Sequence, residues 1–270
     1  MNKICFVGGG NMASAMLVGL RKQHPTLDCH IIEPFAGARE KLASLGVTVH
    51  AAANRAAAAG ADAVVLAVKP QVLKQVCREL LPSLDGELIV SIAAGIKIAS
   101  LARWLDGHQR IVRTMPNTPA LIGQGVTGLF APASVAPVDV ATATELMRST
   151  GIVVPVASEA MIDSVTAVSG SGPAYVFHWI ESMLTAAQDV GFSAADARTL
   201  VFGTLKGATA LAEASGEPVS LLRERVTSKG GTTAAALTVL NDCHVGDAIL
   251  EAVRAAKNRG AELGDLLDRE

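Results

Sequence analysis

Short runs of apolar residues alternate, through the first 160 residues, with segments in which apolar residues recur at helical spacing. The first run, KICFV, leads into glycines and then into a helical pattern over residues 12–20. Uninterrupted apolar runs of this length are typical of buried strands, and the spacing behind them is typical of a helix packed on a sheet. The start of the chain therefore predicts a strand, a tight turn and a helix.

Further apolar runs predict five more strands, each followed by a helical or loop segment: CHIIEP, GVTVH, ADAVVLAVKP, GELIVSIAAG and RIVRTM. Strands that alternate with helices predict a parallel, doubly wound sheet. From about Met161 the strand signals fade and long apolar-periodic segments take over. We therefore predict an α/β fold, with a doubly wound domain over residues 1–160 and an all-helical domain over residues 161–270.

The first turn carries GGGNMA, which fits the GxGxxA pattern of dinucleotide-binding turns. Gly8 permits the tight turn, Gly10 lets the backbone approach a pyrophosphate, and Ala13 allows close packing of the helix on the strand. Free N–H groups at the helix start then face the phosphates. A glycine-rich turn without a ligand is the alternative, but the position between strand and helix favours a Rossmann-type dinucleotide domain.

The second predicted strand ends at Glu33. Dinucleotide domains place an acid close to this position for the hydroxyls of the adenosine ribose, which by charge favours NADH. Arg39 follows a short way on, and an arginine there can accept the 2′-phosphate of NADPH. The residues by themselves leave the choice of cofactor open.

Loops at the carboxyl ends of other predicted strands are further candidates, because a parallel sheet binds its ligand beyond those ends. Two such loops contain Lys69 and Pro70, and Ala94 and Gly95. We expect both to line the cofactor crevice. In a third loop, MPNTP, two prolines restrict the backbone around Asn117, and a plain proline turn is the alternative interpretation.

The helical half contains two polar interruptions. SGSGP predicts a capped helix start with exposed N–H groups, whereas TSKGGTT combines hydroxyls, a lysine and adjacent glycines before a further helix. Adjacent glycines lose much backbone freedom on folding, so the second run is costly as a mere connection. N–H groups at the helix start, with the hydroxyls of Ser228, Thr232 and Thr233, predict an anion site suited to a carboxylate. The spacing is not that of a P-loop.

Composition narrows the possible partners. The chain has 270 residues, half of them apolar, and a net charge of −2 without a basic stripe. This argues against nucleic acid or an anionic membrane and favours a small-molecule substrate. The apolar stretch over residues 88–101 is short for a membrane span, and no signal pattern opens the chain, so we expect a cytoplasmic protein. Scattered cysteines and histidines predict neither a disulfide nor a metal site.

Six motifs run in a characteristic order nearly from end to end: GGGNMASA, AVKP, SIAAG, MPNTP, SGSGPAY and TSKGGTT. Through them the chain resembles the pyrroline-5-carboxylate reductases, the last enzymes of proline biosynthesis. The resemblance implies NAD(P)H-dependent reduction of L-1-pyrroline-5-carboxylate to L-proline by hydride transfer to the cyclic imine carbon, usually from NADPH. It also implies a helical domain that forms homodimers and larger rings of dimers, such as a decamer.

The same resemblance implies cofactor contacts at Val7, Gly8, Gly9, Gly10, Asn11, Met12, Asn54, Ala67, Val68, Lys69, Pro70, Ala93, Ala94 and Gly95. Glu33, from the dinucleotide motif, and Asn117, from the MPNTP loop, complete the set of cofactor candidates. It implies substrate contacts at Glu159, Ser228, Gly230, Gly231, Thr232 and Thr233. The Thr233 hydroxyl, which would reach the ring nitrogen, is the catalytic candidate. The chain departs from the family pattern at Glu33, where a small hydroxyl residue often contacts the 2′-phosphate, and at Lys229, where proline is common.

Two other functions stay open at this point. A β-hydroxyacid dehydrogenase shares the two-domain layout and uses a lysine from a helix of the second domain; Lys206 has such a position but lacks the neighbouring motif. A non-catalytic NADP sensor would bind cofactor without turnover and would have no need of the TSKGGTT anion site. Within the reductase hypothesis, a six-membered cyclic imine stays open as an alternative substrate, because one methylene changes discrimination by only about 1–3 kcal/mol.

Overall fold

The computed structural model describes residues 1–269. Its strands are β1 (Lys3–Val7), β2 (Asp28–Ile32), β3 (Thr48–His50), β4 (Ala63–Leu66), β5 (Leu88–Ser91), β6 (Ile111–Met115), β7 (Gly125–Phe130) and β8 (Gly151–Pro155). They form one eight-stranded sheet in the order β3-β2-β1-β4-β5-β6-β7-β8. The first six strands are parallel, so the predicted doubly wound arrangement is confirmed.

The last two strands were not predicted. β7 pairs antiparallel with β6, and β8 pairs parallel with β7, so the sheet is mixed at this edge. Both strands begin with glycine, and a Cβ on Gly151 would collide with the backbone of Gly125. Glycine weakens the strand signal of a sequence, although here it permits the close approach of two backbones.

Seven helices accompany these strands: α1 (Asn11–Gln23), α2 (Ala36–Ala43), α3 (Arg55–Ala58), α4 (Pro70–Leu80), α5 (Ile98–Trp104), α6 (Pro137–Arg148) and α7 (Ala160–Val165). Two apolar clusters lie within this part of the chain, one around Phe6, Met16 and Val90 and the other around Leu66 and Leu101. All four residues of β4 are buried. Burial of both faces of a strand explains why its sequence is an unbroken apolar run.

The remaining helices are α8 (Gly172–Asp189), α9 (Ala194–Ser215), α10 (Val219–Arg225), α11 (Thr232–Asp242) and α12 (Val245–Arg269). The all-helical C-terminal region is therefore confirmed. The Ser193 hydroxyl accepts a hydrogen bond from the backbone N–H of Asp196 at 3.1 Å, which caps α9. Before α8 the chain forms a π-helical turn, Thr166–Gly170. SGSGP therefore spans the end of this turn and the first two residues of α8, so the predicted helix start lies within it.

The chain divides into two compact units, one of Met1–Pro173 with the chain from Ala255 onward, and one of Ala174–Arg254. This division differs from the predicted boundary near residue 160 at both ends of the helical region. α7 packs against β6 and β7, and the last turns of α12 pack against α5. Such long-range contacts leave no trace in a hydrophobic pattern.

The unit of Ala174–Arg254 has little core of its own. Within it, α8, α10 and α11 contain no buried residue, and α9 buries only Ala197 and Val201. Large apolar side chains are instead exposed, among them Phe177, Phe192 and Phe202. Apolar helical surface of this extent is typical of a protein–protein interface.

Candidate active site

The strands at the centre of the sheet end at one level. Val7 of β1 is in register with Ile32 of β2 and with Leu66 of β4, and Leu66 is in register with Ser91 of β5. Neighbouring strands lie about 4.8 Å apart, so the residues that follow these ends form one row. Most of the predicted cofactor residues belong to this row or to the loops directly behind it.

The glycine-rich turn has the backbone that its sequence predicts. Gly8 has φ +98° and donates its N–H to the carbonyl of Ile32 at 2.9 Å. A Cβ on Gly8 would lie 2.7 Å from Val68 Cγ1 and 2.8 Å from the Ala67 carbonyl oxygen. Gly10 is different, because a Cβ there would meet no atom within 4 Å. The turn thus requires glycine at Gly8 for the fold and leaves open space in front of Gly10.

The start of α1 is suited to a phosphate. Gly10 is its N-cap and offers no side chain as a cap, and the first turn contains no acidic residue. The first N–H groups of a helix have no partner inside the helix and carry the positive end of the helix dipole. The N–H groups of Asn11 and Met12 can therefore bind an anion, and the open space at Gly10 fits a pyrophosphate.

Glu33 follows β2 directly and holds the turn. It is 7% exposed; its Oε2 accepts the N–H of Gly9 at 2.9 Å and its Oε1 accepts the N–H of Phe35 at 3.0 Å. The guanidinium of Arg39 donates to the backbone carbonyls of Glu33 and Pro34, at 3.1 and 2.5 Å, and not to the carboxylate. Within residues 1–269 the Glu33 carboxylate has no cationic partner. An acid therefore lies beside the turn, and a cation is bonded to the backbone that follows β2.

Asn54 belongs to a hydrogen-bonded chain that the sequence did not reveal. Its side-chain oxygen accepts the N–H of Ala57 at 2.9 Å and caps α3, while its amide nitrogen donates to Nδ1 of His50 at 3.2 Å. Nε2 of His50 then bonds Nδ1 of His30, and Nε2 of His30 bonds Asp28, each at 2.9 Å. Nδ1 of His50 accepts the bond from Asn54, so the proton of a neutral His50 is on Nε2 and faces His30.

Burial lowers the pKa of His50, and the neighbouring His30 and Lys3 lower it further. The neutral imidazole is the form that can accept the hydrogen bond from Asn54. The chain of side chains therefore fixes Asn54 in one orientation at the edge of the sheet.

The loops after β4 and β5 lie on the side of β1 that is away from β2. Ala67 donates its N–H to the carbonyl of Val7 at 2.8 Å, and Pro70 begins α4 after an exposed Lys69. After β5, Ala93 is 4% exposed and Gly95 has φ +77°. The predicted residues Ala67, Val68, Lys69, Pro70, Ala93, Ala94 and Gly95 are thus brought to the same edge as the glycine turn.

The side chain of Asn117 is used in hydrogen bonds within the protein. It is 8% exposed, its side-chain oxygen accepts the N–H of Val126 at 2.8 Å, and its amide nitrogen donates to the carbonyl of Ser169 at 3.0 Å. These bonds tie the MPNTP loop to β7 and to the π-helical turn. Its contact with a cofactor stays a prediction.

Glu159 is held by a buried cation. Its Oε1 accepts the N–H of Ile98 at 2.7 Å and a bond from Nη1 of Arg113 at 3.2 Å. Arg113, 1% exposed in β6, also donates to Asp163 at 3.0 Å, and its Nε has no partner among the described residues. Arg113 was not predicted as a site residue, because an arginine in an apolar strand gives no signal of its partners. Contact between Glu159 and a substrate also stays a prediction.

The TSKGGTT segment forms the start of α11, within the unit of Ala174–Arg254. Gly230 has φ +72°, and Gly231, the N-cap, donates its N–H to the carbonyl of Ser228 at 3.0 Å. Neither a side-chain cap nor an acid in the first turn occupies this helix start. Thr232 and Thr233 are its first two residues, and the Thr233 hydroxyl has no hydrogen-bond partner within residues 1–269. A free hydroxyl therefore stands at a helix start that no side chain caps, and its role in an anion site stays a prediction.

The three buried cysteines are poorly suited to nucleophilic chemistry. Burial raises the pKa of Cys5 and of Cys77 to about 12, and it also raises the pKa of Cys29. Thiols in this state are poor nucleophiles. Residues 1–269 contain no group of three His, Cys, Asp or Glu side chains placed to hold a metal, and none of their helices is long and apolar enough to cross a membrane.

Comparison with known proteins places this site in a family. A family model described as "Pyrroline-5-carboxylate reductase dimerisation" matches residues 159–263, and one described as "NADP oxidoreductase coenzyme F420-dependent" matches residues 3–95. The pyrroline-5-carboxylate reductase of Pseudomonas aeruginosa is 43% identical over 267 residues, which cover 98% of both chains. This chain belongs to the pyrroline-5-carboxylate reductase family.

Solved structures of pyrroline-5-carboxylate reductases have the same fold. The enzyme of Coxiella burnetii has a TM-score of 0.89 at 38% identity and covers 96% of this chain and 97% of its own. The Plasmodium falciparum enzyme, described with NADP bound, has a TM-score of 0.86 at 30% identity and covers 98% of this chain and 100% of its own. Membership in the pyrroline-5-carboxylate reductase family makes the chain an oxidoreductase with a nicotinamide cofactor, a small-molecule substrate and an oligomerising helical region.

Lys206, the lysine of the hydroxyacid dehydrogenase hypothesis, is merely exposed in α9.

Proposed function

We propose that this chain reduces L-1-pyrroline-5-carboxylate to L-proline with NAD(P)H, the final step of proline biosynthesis. In this reaction a hydride adds to the imine carbon, the ring nitrogen gains a proton, and NAD(P)⁺ is released. The observation that carries the proposal is the open start of α11, where an anion site and the free Thr233 hydroxyl lie together. Its full-length similarity to pyrroline-5-carboxylate reductases supports the same substrate.

The cofactor, when bound, supplies the hydride. We assign its pyrophosphate to the turn of Val7, Gly8, Gly9, Gly10, Asn11 and Met12, since this turn combines free N–H groups with open space. Glu33 and Asn54 then lie on the adenosine side of the turn, and residues 67–70 and 93–95 on the nicotinamide side. Division of the chain into a cofactor domain, residues 1–160, and a substrate and dimerisation domain, residues 161–270, is part of this proposal.

The start of α11 holds the substrate. Ser228, Gly230, Gly231 and Thr232 take the carboxylate through N–H groups and hydroxyls, which fixes the face that the ring presents. Hydride transfer requires the reacting atoms to lie about 3–3.5 Å apart. Holding the substrate in one orientation therefore supplies much of the rate enhancement. Thr233 is a weak acid, so we assign its hydroxyl the role of orienting the ring nitrogen. The proton on that nitrogen is already present when a protonated imine binds, or it comes from water.

We propose that both cofactors are used and that the preference for NADPH is small. Arg39, beside the end of β2, provides a cation for the 2′-phosphate, in line with the similar enzyme described with NADP bound. The Glu33 carboxylate opposes that phosphate, because it is nearly buried and lacks a cationic partner among the described residues. The two charges act on the 2′-phosphate in opposite directions, so the net preference for NADPH is modest.

We also propose a homodimer, assembled into a larger ring such as a decamer. The exposed apolar surface of α8 to α11 supports the dimer, since it cannot be covered by a core within that unit. A cytoplasmic location is supported by the cysteines, which are all free thiols, three of them buried. Unpaired cysteines are typical of reducing compartments.

The first experiment follows the loss of absorbance at 340 nm with pyrroline-5-carboxylate, in parallel with NADPH and NADH. We expect turnover, and a decrease of about 10- to 1,000-fold in kcat for Thr233→Ala. Thr238→Ala is the matched control, because the Thr238 hydroxyl bonds the Ala234 carbonyl of its own helix at 3.0 Å. Full activity of Thr233→Ala would remove this residue from the mechanism. Cofactor binding without turnover of the imine would instead support the sensor or hydroxyacid hypotheses.

A further inference from the structure

The last turns of α12 make a dense set of polar contacts with α5. Asp265 accepts a bond from Nζ of Lys97 at 2.7 Å, and Asp268 accepts one from Nη2 of Arg103 at 2.7 Å and another from the Ser100 hydroxyl. Lys97 is the N-cap of α5, and residues 97, 100 and 103 are three apart, so they lie along one side of the helix and its start. A single stripe of α5 is thus bonded to a single stripe of α12.

Backbone and apolar contacts accompany these bonds. Gly264 of α12 lies against Gly95, and a Cβ on Gly264 would come within 2.8 Å of the Gly95 carbonyl oxygen. Leu267 packs against the buried cluster that contains Leu101. We call Gly264, Asp265, Leu267 and Asp268 the C-terminal clamp. Its glycine lets the helix touch the loop before α5 directly, backbone to backbone.

A second set of bonds holds the same loop from another direction. The N–H of Ile98, the first residue of α5, donates to Glu159 at 2.7 Å. Glu159 is itself bonded to the buried Arg113. The loop of residues 92–97 is therefore fixed at its end by a carboxylate and along its side by the clamp.

The loop that the clamp contacts lies on one particular side of the glycine turn. β5 lies two strands from β1, on the side opposite β2. With the pyrophosphate at the β1 turn and the adenosine ribose beyond β2, a bound dinucleotide extends its nicotinamide half toward β4 and β5. The loop held by the clamp is on the nicotinamide side, and β2, on the adenosine side, lies three strands away from β5.

We propose that the C-terminal clamp positions the loop after β5 for the nicotinamide half of the cofactor. The inference rests on the proposed function, since it needs the dinucleotide to lie along this edge. Family-model matches cover residues 3–95 and 159–263, so the clamp begins at the residue after the second match. Displacement of a positioning element by about 1 Å is enough to weaken the reaction geometry of a ligand.

The role of the clamp can be tested by substitution, because its ion pairs are exposed. Lys97 and Asp265 have side-chain exposures of 40% and 60%. Exposed ion pairs contribute little to folding stability, so their removal should leave the chain folded. A change in NADPH affinity would then result from a change in the position of the loop after β5, and not from a loss of folding.

Gly264→Ala is the main variant, and Gly260→Ala is its matched control, because a Cβ on Gly260 of the same helix meets no atom within 4 Å. We measure the binding of NADPH by nucleotide fluorescence, and that of 2′-phospho-ADP-ribose, which lacks the nicotinamide, by calorimetry. We expect the Kd of NADPH to rise about 5- to 30-fold in Gly264→Ala and the Kd of the fragment to change less than about two-fold. The control should change neither.

A double variant, Asp265→Asn with Asp268→Asn, tests the polar contacts if Gly264→Ala fails to fold. Its control is Glu262→Gln, whose bond to Arg259 lies on the exposed surface of the same helix. Unchanged NADPH binding in the folded variants, or equal weakening of NADPH and the fragment, would overturn the proposal. Neither measurement uses the imine, so a parent protein that binds NADPH but does not turn over pyrroline-5-carboxylate would refute the proposed function alone.

Discussion

Substitution of Glu33 by glutamine should shift the cofactor preference toward NADPH. Glutamine has nearly the same shape and can still accept the N–H of Gly9, which Glu33 now accepts at 2.9 Å. It removes the negative charge that lies beside the glycine turn. The bond from Phe35 to Oε1 of Glu33 is lost if the glutamine amide nitrogen takes that place, at a cost of about 1 kcal/mol.

The size of the shift follows from the distance and the surroundings. The 2′-phosphate carries a charge of about −1.5 to −2. With about 6 Å between the charges and an effective dielectric constant of about 40 at a half-open crevice, the repulsion is about 2–3 kcal/mol. Salt with a Debye length of about 8 Å reduces this to about 1–1.5 kcal/mol. The NADPH to NADH ratio of kcat/KM should therefore rise about 5- to 15-fold.

Initial rates at saturating pyrroline-5-carboxylate give kcat/KM for each cofactor. The fraction of folded protein drops out of the ratio of the two kcat/KM values, because both cofactors bind the same folded chain. Glu40→Gln is the control, since Glu40 is exposed on α2 near the same strand end. If the ratio in Glu33→Gln stays within two-fold of the parent, the carboxylate is not beside the 2′-phosphate and the argument is refuted.

Two further predictions concern the same edge of the sheet. Gly10→Ala should leave the melting temperature unchanged but weaken NADPH binding at least about 100-fold, because the Cβ meets no protein atom within 4 Å and fills the pyrophosphate position; Gly37→Ala, equally open, is the control, and tight NADPH binding by Gly10→Ala would contradict the site. For His50, burial lowers the pKa below its unfolded value of about 6.5. Its contribution to stability is therefore full above about pH 6.5 and is lost as the pH falls toward the folded pKa. Thermal melts between pH 7.5 and 5 should decline less steeply for His50→Gln, and an equal decline would show that this group does not titrate on unfolding.

The contiguous features of this protein could be determined from its sequence. Apolar runs located the first six strands, because a strand buried on both faces needs apolar residues at every position. The turn at Gly8 and the open start of α11 were also predictable, since each is built by neighbouring residues whose backbone conformation glycine permits. Family resemblance then supplied the chemistry that these local features serve.

Tertiary structure decided the partners of the charged and polar side chains. Nothing in the sequence pairs Arg113 with Glu159 and Asp163, joins Asn54 to His50 and His30, or brings Asp265 to Lys97 across 168 residues of chain. β7 and β8 were missed for a related reason, as their glycines serve a close approach between strands. Hydrophobic periodicity reports which face of a segment is buried, whereas the choice of a bonding partner depends on where the folded backbone places two distant residues.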